Sequence, residues 1–135
     1  MAEPTTRRPL LLLVEDEAPM ASLLCESLGG EYEILVAVDG KEALRLLGTR
    51  KFDIILSDLM LPGKVQGLDF LEVAMHQQPQ AKRILMSGYL NPQLLERSMS
   101  LVQLSRCLIK PVEITFLRSE LRAALGSQPA GPRQS

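Results

Sequence analysis

Leu10-Leu11-Leu12-Leu13-Val14-Glu15-Asp16-Glu17 is an unbroken apolar run that stops abruptly on carboxylates. A run that does not alternate polar with apolar suits a strand covered on both faces, as in a parallel sheet. Similar runs follow at Ile34-Leu35-Val36-Ala37-Val38, Ile54-Ile55-Leu56, Ile84-Leu85-Met86 and Cys107-Leu108-Ile109. Stretches of helical period separate them. Pro19 suits a first helical turn and is followed by Met20, Leu23, Leu24 and Leu28, with Gly29-Gly30 as the stop. Asp39 with Glu42 three residues later has the form of a capping box, and Ala43, Leu44 and Leu47 run on to Gly48. A third helix after Gly67 sets Leu68, Leu71, Ala74 and Met75 on one face and ends before Pro79. Asn91-Pro92 opens a fourth, which carries Leu94, Leu95 and Met99. After Pro111, Ile114, Leu117, Leu121 and Leu125 recur at spacings of three and four. Strands and helices in strict alternation require parallel strands joined by right-handed crossovers. The predicted fold is therefore a three-layer α/β sandwich.

Composition narrows the chemistry. The 135 residues are 46% hydrophobic, enough for one domain with its own core. Fifteen basic residues oppose sixteen acidic ones, and aromatics are 4% with no tryptophan. Neither a broad phosphate-binding surface nor a base-stacking platform is supplied, so nucleic acid is not expected as a partner. Cys25 and Cys107 form no CxxC pair, which argues against structural zinc and suits a reducing compartment. The apolar run at residue 10 is too short to span a bilayer, and acidic residues stand where a signal-peptide cleavage site would need small ones. A cytoplasmic protein without a membrane partner is expected. Residues 1–8 and 126–135, rich in Pro, Gly and polar residues, are expected to be disordered, leaving a domain over residues 9–125.

In open parallel sheets the functional site forms beyond the carboxyl ends of the strands. Glu15 and Asp16 follow the first run, Ser57-Asp58 the third, Ser87-Gly88 the fourth and Lys110-Pro111 the fifth. Three carboxylates against one ammonium leave two uncompensated negative charges, which would raise one another's pKa. A divalent cation such as Mg²⁺ cancels them, and hard carboxylate oxygens suit that ion. A phosphoryl group could then share its negative oxygens among the metal, Lys110 and Ser87.

These residues lie in motifs that resemble the bacterial response-regulator receiver domain over residues 9–125. The motifs are Leu13-Val14-Glu15-Asp16-Glu17-Ala18, Val38-Asp39-Gly40-Lys41-Glu42-Ala43-Leu44, Ser57-Asp58-Leu59-Met60-Leu61-Pro62-Gly63, Met86-Ser87-Gly88-Tyr89 and Ile109-Lys110-Pro111. The resemblance implies a flavodoxin-like sheet of order 2-1-3-4-5, Mg²⁺ dependence, and phosphorylation of an aspartate by a sensor histidine kinase or a histidine phosphotransfer protein. By position, Asp58 is the implied phosphoacceptor, and Glu15, Asp16, Asp58 and the backbone carbonyl of Met60 are the implied metal ligands. Ser87 and Lys110 are the implied contacts to the phosphoryl oxygens. The implied output is an unidentified downstream protein. It docks on the fourth helix, fifth strand and fifth helix, a face the family also uses for homodimers. With only residues 126–135 beyond the domain, a stand-alone receiver is expected.

Several features depart from the pattern. Cys107 stands where the family usually has an aromatic whose rotamer follows phosphorylation. One extra residue lies between Pro62 and Gly67, and with Ser87-Gly88-Tyr89 this is more similar to receivers of hybrid histidine kinases. Ser100–Ser105 replaces the usual small-residue turn before the last strand. Met60 and Tyr89 occupy positions that influence how water reaches the acyl phosphate, and neither orients water well. Slow self-dephosphorylation follows. His76, the only histidine, is expected to face solvent, and Cys107 to fill space in the core.

Three other functions compete. An aspartyl phosphohydrolase wants a second aspartate two residues after the nucleophile, where Met60 stands. A flavin-binding module would need a hydroxyl- and glycine-rich phosphate loop, whereas Glu15-Asp16 would repel the phosphate. A receiver-like interaction module that signals without phosphorylation is disfavoured by the complete acidic set but favoured by Cys107.

Overall fold

The computed structural model describes residues 7–88 and 91–126. Tyr89, residues 1–6, residues 127–135 and the side chains of Leu94 and Leu95 lie outside them. Strands β1 (Leu10–Val14), β2 (Glu33–Ala37), β3 (Ile54–Asp58), β4 (Lys82–Ser87) and β5 (Arg106–Ile109) alternate with helices. The helices are α1 (Ala18–Leu28), α2 (Gly40–Leu47), α3 (Gly67–Gln77), α4 (Pro92–Val102) and α5 (Ile114–Gly126). All strand pairs are parallel, in the order β2-β1-β3-β4-β5. The alternation of apolar runs and helical periods expected from the sequence is borne out.

The unbroken runs have the cause proposed for them. Every residue of β1 and β3 is buried, and successive side chains enter opposite layers. Leu10, Leu12 and Val14 join Leu47, Phe70, Leu71 and Val102 in the layer of α2, α3 and α4. Leu11 and Leu13 join Leu24, Leu28, Leu117 and Leu121 in the layer of α1 and α5. The outer strands are less covered. All of β2 but Ala37 is half-buried, and Ile109 at the end of β5 is 65% exposed.

Local details differ from the sequence reading where side-chain direction decides. On α1, Ala21 faces the core and Leu23 points outward at 47% exposure, because position 21 lies in line with Leu24 and Leu28. On α3, Phe70 and Leu71 are fully buried, while Leu68 and Met75 flank them only half-covered. Asp39 caps α2 by accepting from the Glu42 N–H at 2.8 Å. The returning Glu42 carboxylate accepts from Val38 instead of Asp39, so the box is displaced by one residue. Arg8 donates to the carbonyls of Gly29 and Tyr32, and Gly126 closes α5.

Arg83 at the start of β4 is buried with no carboxylate partner among the described residues. Its guanidinium donates to carbonyls of Val102 (2.9 Å), Ala81 (2.8 Å), Pro79 (3.3 Å) and Gln103 (3.3 Å). These include the C-terminal carbonyls of α4, where Gln103 takes a left-handed φ of 50°. Ser100–Ser105 is thus closed by an arginine fork in place of a small-residue turn.

Phe70 and Leu23 test this assignment of faces. In urea denaturation, Phe70→Ala is expected to lower stability by about 3–5 kcal/mol, and Leu23→Ala by about 0.5 kcal/mol or less.

Candidate functional site

Parallel register brings the carboxyl ends of four strands to one edge. Val14 lies beside Ser57, Asp58 beside Met86, and Ser87 beside Ile109. The ladder runs one residue further at three places: Glu15 N–H donates to Ala37, Leu59 N–H to Met86 and Lys110 N–H to Ser87. The backbones that carry Glu15, Asp58, Ser87 and Lys110 are therefore fixed by main-chain hydrogen bonds. Chemistry-bearing side chains sit on rigid strand ends while the flanking loops remain free to vary.

The structure groups the sequence-expected carboxylates. Glu15, Asp16 and Asp58 each offer an oxygen, and these oxygens lie within 4.8 Å of one another. Glu15 is fully buried, Asp58 is 5% exposed, and Asp16 faces solvent. Lys110 Nζ stands 2.7 Å from Asp58 Oδ1 and 3.2 Å from Glu15 Oε1. The Asp58 contact is an ion pair without the direction of a hydrogen bond, and buried Oδ1 accepts none among the described residues. Ser87 is buried at the end of the neighbouring strand. Met60 follows Asp58 by two residues with its side chain 74% exposed. His76 is exposed on α3.

Burial pushes Asp58 up to about 7, helped by the Glu15 carboxylate and opposed by the Lys110 ammonium. Burial alone would lower Lys110, but Asp58 and Glu15 more than reverse this and raise it. One ammonium does not compensate two buried carboxylates and a third nearby. The donor set is all-oxygen, the charge is left negative, and a buried carboxylate oxygen is only partly satisfied. Each of these fits a small hard dication such as Mg²⁺.

Two residues escaped the sequence reading as parts of this site. Gly67 was read only as a helix start. A Cβ there would lie 2.0 Å from the Asp58 carbonyl oxygen, so the first turn of α3 rests directly on the Asp58 backbone. The Gly67 N–H also donates to Leu59 at 3.0 Å. Gln66 closes the loop between β3 and α3. Its Oε1 accepts from the Leu61 N–H at 2.9 Å, and its Nε2 donates to the carbonyls of Leu61 (2.8 Å) and Gly63 (2.9 Å). Gly63 supplies the left-handed φ of 88° that lets this loop turn. The extra residue between Pro62 and Gly67 was the available signal, because a longer loop needs something to hold it.

Cys107 is half-buried and packs against the α2–α4 layer; burial raises its thiol pKa. Among the described residues no helix is long and apolar enough to cross a membrane.

Known proteins share this fold. The family model of the response regulator receiver domain matches residues 11–122. The hydrogenase transcriptional regulatory protein HoxA of Cupriavidus necator is 26% identical over 122 residues, covering 90% of this chain and 25% of its own. The chain spans less than a third of the length of the curated relatives it matches. The signal receiver domain of an HD domain-containing protein from Pseudomonas fluorescens Pf-5 superposes with a TM-score of 0.82 at 32% identity, covering 88% of this chain and 95% of its own. A response regulator from Burkholderia pseudomallei, solved with a phosphorylated aspartic acid, calcium ion and citrate, gives 0.77 at 26% identity over 88% of this chain and 67% of its own.

The buried charge cluster sets a pH dependence. With chelator present, folded Asp58 holds its proton to about 7, against about 4 for an unfolded aspartate. The native state binds more protons between these values, so its stability falls as pH rises through that window. Asp58→Asn is expected to leave thermal stability unchanged near pH 4 and to raise it at pH 8, on the order of 2–4 kcal/mol. Equal effects at both pH values in calorimetry contradict the burial argument. Gly67→Ala is expected to cost about 1–3 kcal/mol by forcing α3 away from Asp58, read in the same experiment.

Proposed function

Because this chain belongs to the response regulator receiver domain family, we propose that it takes a phosphoryl group from a phosphohistidine onto Asp58. An Asp58 carboxylate oxygen attacks phosphorus, the phosphorus–nitrogen bond to the donor imidazole breaks, and an acyl phosphate forms. The imidazole leaves with the bonding electron pair. The donor is a sensor histidine kinase or a histidine phosphotransfer protein. The observation that best supports this reading is the buried Asp58 carboxylate, set between Glu15 and an ammonium at 2.7 Å on the open edge of the sheet.

In this reading Lys110 holds the Asp58 charge before transfer and shifts to a phosphoryl oxygen as negative charge moves outward. The Ser87 hydroxyl donates to a second phosphoryl oxygen. Glu15, Asp16, Asp58 and the Met60 carbonyl would hold Mg²⁺, which when bound would neutralise the crowded oxygens. The protein's part is alignment and charge stabilisation, the main demands of phosphoryl transfer. Exposed Met60 offers no group to orient water against the acyl phosphate, so self-dephosphorylation is slow. The phosphorylated state binds its protein target by favouring one arrangement of the domain over another. The face of α4, β5 and α5, with Leu101, Ile109 and Phe116 exposed, is the surface that would serve a target or a second copy. The setting proposed is the cytoplasm.

Phosphotransfer from a labelled histidine kinase tests the assignment. Asp58→Asn is expected to abolish labelling with its circular dichroism unchanged. Lys110→Ala is expected to lower the transfer rate by at least about 100-fold, the scale of losing one preorganised charge contact. Persistent labelling of Asp58→Asn would refute the phosphoacceptor.

A further inference from the structure

We propose that Gln66 is a positioning residue for the metal: its side chain fixes the orientation of the Met60–Leu61 peptide so that the Met60 carbonyl is turned toward the carboxylate cluster before any ion arrives. The inference deepens the reading above and rests on Met60 supplying a carbonyl ligand.

The geometry is that of a planar amide. Lys110–Pro111 is the one cis bond among the described residues, so Met60–Leu61 is trans and its C=O and N–H point in opposite directions. Gln66 Oε1 accepts from the Leu61 N–H at 2.9 Å, which pins one side of that plane. The Met60 carbonyl must then leave from the side away from Gln66. A single acceptor could let the plane rock about the hydrogen bond. Gln66 also donates from Nε2 to the carbonyls of Leu61 (2.8 Å) and Gly63 (2.9 Å), which fixes the next peptide and the turn beyond it. Both faces of the side-chain amide are thus committed to the loop that follows Asp58.

Gln66 is itself anchored. Its own N–H donates to Asp69 Oδ2 at 3.0 Å, and it stands directly before Gly67, which rests on the Asp58 backbone. The clamp therefore has the same foundation as the phosphoacceptor. Side chains that orient a metal's ligands without touching the metal change its affinity, and this one acts on a backbone carbonyl. Loop ordering that would otherwise oppose metal binding is completed in advance.

Calorimetric titration of the chelator-treated full chain with MgCl₂ is the test, with thermal melting in the absence of metal alongside. Gln66→Ala is expected to weaken Mg²⁺ binding by about tenfold. Asp69→Ala removes the anchor at the helix start but leaves the Leu61 clamp, and is expected to lower the melting temperature while keeping the Mg²⁺ Kd within about twofold of wild type. An unchanged Kd in Gln66→Ala overturns the proposal, as does equal weakening by both variants, which would mark a merely structural role. Asp58→Asn separates the two levels. If it leaves Mg²⁺ binding intact, the carboxylate site itself has failed; if it abolishes binding while Gln66→Ala does not weaken it, only the positioning role has. Should Gln66→Ala not fold, amide exchange in the metal-free wild type decides. A Leu61 N–H protected before Mg²⁺ is added supports the clamp, and one exchanging as a free loop amide overturns it.

Discussion

Lys110, half-buried, stands against the buried carboxylates of Asp58 and Glu15, and the rest of the edge is organised around that unequal contest. One ammonium cannot balance two buried carboxylates and a third at the rim, so the folded chain carries a standing preference for positive charge at this place. Hydrophobic burial of β1 and β3 holds the arrangement together against its own repulsion. The strands cannot separate without exposing Leu11, Leu12, Ile55 and Leu56, all fully buried. The site is thus a locally unfavourable electrostatic state maintained by favourable packing elsewhere, a common way for folds to keep reactive groups ready.

The strand ends were legible because burial and chemistry leave separate marks on a parallel strand. The run Leu10–Val14 marks burial on both faces, and the first polar residue after it marks the edge. Ser87 and Lys110 are found by the same rule, and Asp58 one residue past the first polar one, Ser57, since each strand runs in the same direction and ends at the same level. Fold and site residues could be read from a sequence in which no two of these strands are adjacent. The boundary of β4 was less legible. Lys82 and Arg83 look like a charged loop, yet both belong to the strand, and Arg83 is buried because backbone carbonyls surround it. A charged residue that uses only main-chain partners leaves no complementary charge in the sequence to betray it.

Gln66 was hidden for a related reason. Glutamine is not a favoured helix cap, and the groups it binds are main-chain atoms of Leu61 and Gly63, whose identities carry no imprint of the contact. Leu23 illustrates the opposite error. An apolar residue next to Leu24 suggests a wide inward stripe, but the phase of α1 is set by Ala21, Leu24 and Leu28, and Leu23 falls outside it. Cys107 was read as a small filler of the core, and its place against the α2–α4 layer agrees with that. A side chain of that size cannot swing between two distant positions.

The contact between Gly67 and the Asp58 carbonyl, and the sheet edge at β5, give the two sides of Asp58 different surroundings. On one side, strand and following helix meet backbone to backbone with no side chain between them. On the other, β5 is an edge strand that ends in a largely uncovered Ile109 but is tied inward by Leu108 in the core, by Arg106 to Glu120 and by Lys110 to Asp58 and Glu15. Position 67 admits a side chain only if the backbone of β3 or that of α3 gives way, so strand and helix share a single steric limit.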